Sequence, residues 1–256
     1  MLGARSPTGM AQPSKTQIDR LGDRLKKGPA EKSDLIMLDG YRRSFGPAYE
    51  HVVQVIRDQL KLEPSGRPAK STNSLVEKLK RESIRLTQVQ DIAGCRVVVA
   101  DVSEQDRVVA SLMSAYPGAN NVVDRREQPS YAYRAVHVVV GGSGKSVEIQ
   151  VRTTFQHIWA EISEKYADIY GSEIKYGGGS EDIRRILERM SGAIAKYEGL
   201  EAKCEGWVKA LGQLRELDKI NKIKEMQEAM RGLRKDIAEI LNLEISRFEA
   251  EKGEKG

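Results

Sequence analysis

Two stretches rich in β-branched and aromatic residues stand only four residues apart. They are YAYRAVHVVV (131–140) and KSVEIQVRT (145–153), separated by GGSG. A connection that short and that rich in glycine makes them an antiparallel hairpin, because parallel strands need a crossover of a dozen residues or more. Strand alternation then sets the faces. Val147, Ile149 and Val151 point toward a core, and Glu148, Gln150 and Arg152 point the other way. In the first strand Tyr131, Tyr133 and His137 share a face, and with matching pairing Tyr133 and His137 border the same cleft as Glu148.

Other apolar runs, at 95–100 and 120–125, also read as strands. Helical spacing covers 17–27, 34–62 with a break at Gly46-Pro47, 72–86, 102–116 and 155–170. The segment KKGPAEKSD reads as a linker ending in a helix N-cap, Ser33 or Asp34, and EPSGRPAK reads as a loop. Strands and helices do not alternate regularly. That argues against a doubly wound sheet and predicts an α/β (α+β) fold with a compact mixed sheet. The expected divisions are a loose tail and short helix over 1–33, a core over 34–176, and a helical extension over 180–256 that follows the flexible YGGGS.

In that extension apolar residues recur at helix spacing. They include Ile183, Ile186, Leu187, Met190, Ile194 and Tyr197, and later Leu211, Leu214, Leu217, Ile237, Ile240 and Leu241. The pattern predicts an amphipathic helical pair or a coiled-coil arm, suited to packing or to self-association as a homo-oligomer.

Charge narrows the partners. The formal net charge is +5, but residues 1–96 alone carry 18 Lys+Arg against 11 Asp+Glu. Such a bias suits a polyanion: a nucleotide, RNA or an acidic surface, or else it is a plain solvated face. No apolar run reaches membrane-spanning length, and the first residues lack a signal-peptide core. Two isolated cysteines, Cys95 and Cys204, argue against a disulfide framework or a zinc site. A cytoplasmic setting is expected.

Lys70, Ser74 and Lys78 fall at i, i+4 and i+8, one face of a helix. Two ammoniums and a hydroxyl there can follow a triphosphate near a helix start, or form an ordinary solvated face. Asp91 stands just ahead of the strand containing Arg96 and either holds Mg²⁺ or caps a turn. Glu148 can hold metal or take a proton from a hydroxyl, and Tyr133 offers a stacking surface. His157 and Glu161, at i and i+4, make a pair that steadies the sheet.

The order Lys-x₃-Ser-x₃-Lys, Asp-x₂-Gly-x-Arg, Tyr-Arg-x-x-His, Glu-x-Gln-x-Arg-Thr and His-x-Trp-Ala-Glu resembles the RelA/SpoT-type alarmone synthetases over about residues 67–170. The resemblance implies a nucleotidyltransferase-like fold. It also implies transfer of pyrophosphate from ATP to a ribose 3′-hydroxyl with Mg²⁺. On that basis Lys70, Ser74 and Lys78 bind ATP phosphates, and Arg96 with Arg67 sandwiches the adenine. Asp91 and Glu148 serve the metal and activation of the hydroxyl. Tyr133 stacks on the acceptor base, beside His137, Gln150 and Arg152.

This chain departs from the family pattern in two places. Arg67 lies three residues before Lys70 instead of two. The family's Pro-Lys-x-x-Gly-Tyr is replaced by Pro129-Ser130-Tyr131-Ala132-Tyr133, without the lysine and glycine, and Arg125 or Arg126 is the nearest substitute charge. Three functions therefore stay open: a small alarmone synthetase acting on GDP or GTP, a toxin-type relative modifying the 3′ end of tRNA, or an inactive binding relative. There is no His-Asp pair among the three histidines, so a hydrolase half like that of long family members is not expected.

Overall fold

Five strands form one mixed sheet in the order β1-β2-β5-β4-β3. The computed structural model describes residues 13–118, 121–142, 145–211 and 217–253. The chain divides into two compact units: residues up to Cys95 with Val139–Glu148, and Arg96–Val138 with Ile149 onward. The divisions fall inside strands, so each unit owns part of the sheet.

The first unit begins with α1 (Lys15–Lys27), opened by a capping box in which Ser14 and Gln17 bond each other's backbone N–H. Helices α2 (Lys32–Arg43) and α3 (Gly46–Val55) follow, divided where Gly46-Pro47 predicts. The N-cap is Glu31, not Ser33 or Asp34. Asp34 sits in the first turn of α2, buried, and takes a bidentate bond from Arg24. A π-helical turn ends at Lys61 in the left-handed region.

The expected loop EPSGRPAK contains a short edge strand, β1 (Ser65–Arg67). Gly66 makes that strand possible. A Cβ there would lie 2.4 Å from the Gly94 carbonyl oxygen and 2.6 Å from Cys95 Cα. Next, α4 (Thr72–Glu82) is shorter than the predicted 72–86, because Ser83 turns left-handed at φ 51°. Leu86 nevertheless reaches the core from a separate 3-10 turn, and Leu75 and Leu79 are buried as expected.

Strand β2 (Ala93–Val99) leads into α5 (Val102–Ala115), which Asp101 caps by accepting the Glu104 N–H at 2.8 Å. After β3 (Asn121–Asp124), strand β4 (Val136–Gly142) begins later than the predicted residue 131. Tyr131 and Ala132 adopt φ 52° and 68°, a tight turn closed by paired bonds between Ser130 and Tyr133. Tyr131 and Tyr133 therefore do not share a strand face with His137. In β5 (Lys145–Thr153), Val147, Ile149 and Val151 are buried as alternation requires. Residues 143 and 144 of the GGSG turn, and residues 119 and 120 of PGANN, lie outside the described residues, as do residues 1–12 of the N-terminal tail.

Helix α6 (Thr154–Tyr170) starts from a Thr153–Gln156 capping box. The extension is a pair of helices, α7 (Glu181–Leu211) and α8 (Leu217–Gly253). Phe155, Trp159, Ile162 and Tyr166 of α6 pack with Ile183, Leu187, Ile194 and Tyr197 of α7 and Leu241 of α8. The apolar row is only partly buried, since Ile186, Leu233 and Ile240 are exposed. Leu214 and the side chains of Leu211 and Leu217 lie outside the described residues. No described helix is long and apolar enough to cross a membrane.

Candidate active site

In the first unit, one carboxylate collects two ammoniums. Lys70 Nζ donates to Asp91 Oδ2 at 2.7 Å, and Lys78 Nζ stands 3.0 Å from Asp91 Oδ1. Lys70 precedes α4 instead of riding on it, so the pair converges through tertiary placement more than helix spacing. Its backbone is held on both sides: its N–H donates to Ile92 O and its carbonyl accepts from Arg42 Nε, each at 2.6 Å. Ser74 lies in the first turn of α4, where its N–H and hydroxyl both bond Ser71 Oγ, the N-cap. That turn presents the free amides and positive dipole end that favour an anion.

Burial works against the Asp91 charge, but Lys70 and Lys78 outweigh it and hold its pKa below the ordinary carboxylate value. Lys78 is pulled the opposite way: burial opposes its charge, yet Asp91, Glu82 and Glu148 raise its pKa. Glu148 is thus within electrostatic reach of Lys78. Its strand neighbour is Gly94, where a Cβ would stand 3.2 Å from the Glu148 carbonyl oxygen, so the missing side chain lets the two backbones approach. Cys95 points into the core, its thiol pushed up to about 12 by burial, with Glu148 adding to the effect. It is no nucleophile. Arg67 is exposed on β1.

Mg²⁺ typically takes one or two protein carboxylates and completes its shell with phosphate and water. Asp91 and Glu148 fit that demand. Asp91 Oδ1 is buried without a hydrogen bond, Lys78 being close but off the bonding direction. No cluster of three or more His, Cys, Asp or Glu that could form an all-protein cage occurs among the described residues.

In the second unit, Tyr133 is the hub. Arg152 Nη2 donates to Tyr133 Oη at 3.2 Å and to Gln150 Oε1 at 2.7 Å. Tyr133 Oη and His137 Nε2 share a hydrogen bond at 2.9 Å, whose direction is set by the imidazole tautomer. The Arg152 guanidinium lies 5.2 Å from the Tyr133 ring centre, and Trp159 tilts toward that ring at 6.3 Å. This set can stack a planar base and donate to its edge. Arg152 is buried, so the polar face of β5 is closed at that end instead of open as alternation alone suggested.

Arg96 and Arg152 both weigh on His157. Burial lowers the His157 pKa first, Glu161 opposes at 3.4 Å, and the two arginines lower it further. Arg126 is not available as a substitute charge, because Asp124 and Asp106 hold it at 2.6 and 2.7 Å.

Residues 66–172 match the region found in RelA/SpoT proteins. A GTP pyrophosphokinase of Bacillus subtilis, YjbM, is 30% identical over 155 residues, covering 54% of this chain and 70% of that one. The chain belongs to the RelA/SpoT family. An uncharacterised protein of Mycobacterium tuberculosis is 41% identical over 113 residues, 42% of this chain and 41% of its own length. The chain thus spans about two fifths of that mycobacterial relative. Among solved structures, small alarmone synthetase 1 of Bacillus subtilis, bound to its product pppGpp, superposes with a TM-score of 0.52 at 26% identity. The superposition covers 67% of this chain and 99% of the synthetase.

The RelA/SpoT-type groups named from the sequence therefore fall into two local sets. Lys70, Lys78 and Asp91 meet, with Ser74 on the helix that carries Lys78 and Glu148 in reach. Tyr133, His137, Gln150 and Arg152 meet in the other unit. Sequence reasoning missed Arg42, which lies upstream of the family match, and Ser191 and Glu198, which lie beyond it. Their signal is tertiary: each bonds a residue at or beside a predicted site group.

Proposed function

We propose that the protein is an ATP:GDP/GTP pyrophosphokinase that makes (p)ppGpp. The observation that carries this reading is the convergence of Lys70 and Lys78 on Asp91, with Glu148 in electrostatic reach. Such a set suits phosphoryl-type transfer, where the protein supplies position and charge neutralisation.

The ATP phosphates take the place of Asp91 as partners of Lys70 and Lys78, beside the first turn of α4 with Ser74. Arg67 and Arg96 bind the adenine. Asp91 and Glu148 would hold Mg²⁺, which would supply positive charge at the phosphate oxygens. Tyr133 stacks on the guanine, with His137, Gln150 and Arg152 around it. The acceptor 3′-hydroxyl gives its proton to Glu148. Its oxygen bonds to the β-phosphorus of ATP, the bond from that phosphorus to the α–β bridging oxygen breaks, and AMP leaves with that oxygen.

One observation favours a second acceptor, the 3′ end of tRNA. Ser130 and Ala132 replace the lysine and glycine of the family pattern, so the stretch before Tyr133 differs from that of the usual guanosine-nucleotide enzymes. The basic excess of residues 1–96 suits RNA phosphates. Incubating the full chain with labelled ATP and GDP, GTP or deacylated tRNA separates the two.

A further inference from the structure

Helix α7 lies beyond the family match, yet it grips the Tyr133 set at two points. Ser191 Oγ donates to the Ala132 carbonyl at 2.6 Å, one residue before Tyr133. Glu198 Oε1 accepts from Thr153 Oγ1 at 2.6 Å, one residue after Arg152. Ser191 and Glu198 are seven residues apart, two turns on one helix face and about 10 Å along the axis. Tyr133 and Arg152, the residues beside these anchors, bond each other.

The second anchor belongs to a buried network. Gln156 Nε2 donates to both Glu198 oxygens at 3.1 Å. Gln156 Oε1 accepts the Thr153 N–H and Gln105 Nε2, and Gln105 Nε2 also donates to Val151 O at 2.7 Å. The chain on both sides of Arg152 is therefore tied down. Glu198 is 5% exposed, amid a core where an apolar side chain would pack without desolvating a carboxylate. Burial raises its pKa, although Thr153 and Gln156 counteract this.

We infer that Ser191 and Glu198 are positioning residues that fix the Tyr133–Arg152 pairing and thereby set affinity for the acceptor nucleotide. The inference rests on the reading of Tyr133 and Arg152 as acceptor-binding. It makes α7 a working part of the acceptor-binding set, and it gives Ala132 an external hold in its left-handed conformation.

The test uses the full chain with S191A, E198Q and the double variant. Two measurements are made: steady-state kinetics for each substrate, and hydrogen–deuterium exchange without ligand. The expected result is a KM for the acceptor raised about five- to tenfold by each single variant, the scale of one lost hydrogen bond. The KM for ATP and kcat stay within about twofold. Exchange rises at 130–135 and 151–156 and stays unchanged at 70–95. An unchanged acceptor KM overturns the inference, and so does a rise in exchange spread evenly over both units, which marks a merely structural role. If the wild-type chain transfers to no guanosine nucleotide, the proposed function fails and exchange alone decides. A rise confined to 130–135 and 151–156 then supports positioning, and no such rise overturns it.

Discussion

Lys70 Nζ lies 2.7 Å from Asp91 Oδ2, and both side chains are less than one-fifth exposed. With Lys78 on the other oxygen, Asp91 occupies both ammoniums proposed to bind phosphate and offsets one of their two charges. The ATP phosphates must therefore displace a carboxylate that is already bound. D91N removes that competitor. It should tighten binding of a non-hydrolysable ATP analogue in the presence of EDTA, about three- to tenfold by calorimetry, while abolishing any gain from added Mg²⁺. It should also destabilise the fold by about 1–3 kcal/mol, because two mostly buried ammoniums lose their charged partner. Weaker metal-free binding in D91N would contradict the displacement.

Gly66 sets where Arg67 stands. A Cβ 2.4 Å from the Gly94 carbonyl oxygen cannot be absorbed by a side-chain rotation. G66A should push β1 off β2, costing about 1–3 kcal/mol in chemical denaturation, the usual scale of overpacking. If Arg67 binds adenine, G66A should also raise the Kd for ATP about as much as R67A does.

Ala132 sits at φ 68°, where a non-glycine residue pays roughly 1–2 kcal/mol. A132G relieves that strain and offsets the entropy glycine adds to the unfolded chain, about 0.5–1 kcal/mol. Thermal unfolding should therefore show A132G unchanged or slightly raised, where an ordinary Ala→Gly change would lower it.

How much of this was legible in the sequence depends on the range of the interaction. The hairpin, its inward valines and the order of helices follow from local period, and β5 obeys it from Val147 to Val151 but not at Arg152 and Thr153, which are both buried. Alternation failed at Tyr131–Ala132, because two left-handed residues end the strand pattern and no glycine marks them. The α4 boundary failed similarly at Ser83. At the site, Lys70, Lys78 and Asp91 were recognisable as chemical types. Their meeting, and the roles of Arg42, Ser191 and Glu198, depend on contacts between residues 13 to 59 positions apart, which no spacing rule encodes.

His157 gives a pH signature. Its folded pKa lies below the ordinary value of 6.5 through burial, with Arg152 and Arg96 adding to the effect against Glu161. Below pH 6.5 the unfolded chain takes up a proton that the native state refuses, so stability falls as pH drops toward the folded pKa. Unfolding midpoints between pH 5 and 8 should show this decline in the wild type and a shallower one in H157Q.

The central claim is pyrophosphate transfer with Glu148 as base. The most direct measurement incubates the chain with γ-³²P-ATP and Mg²⁺, separately with GDP, GTP and deacylated tRNA, alongside E148Q. The account predicts label in guanosine tetra- or pentaphosphate. It predicts that E148Q lowers the rate about 10²–10⁴-fold, the range of a lost general base, while ATP still binds. Label on tRNA alone would replace the acceptor. No label with any acceptor, or full activity in E148Q, would contradict the account.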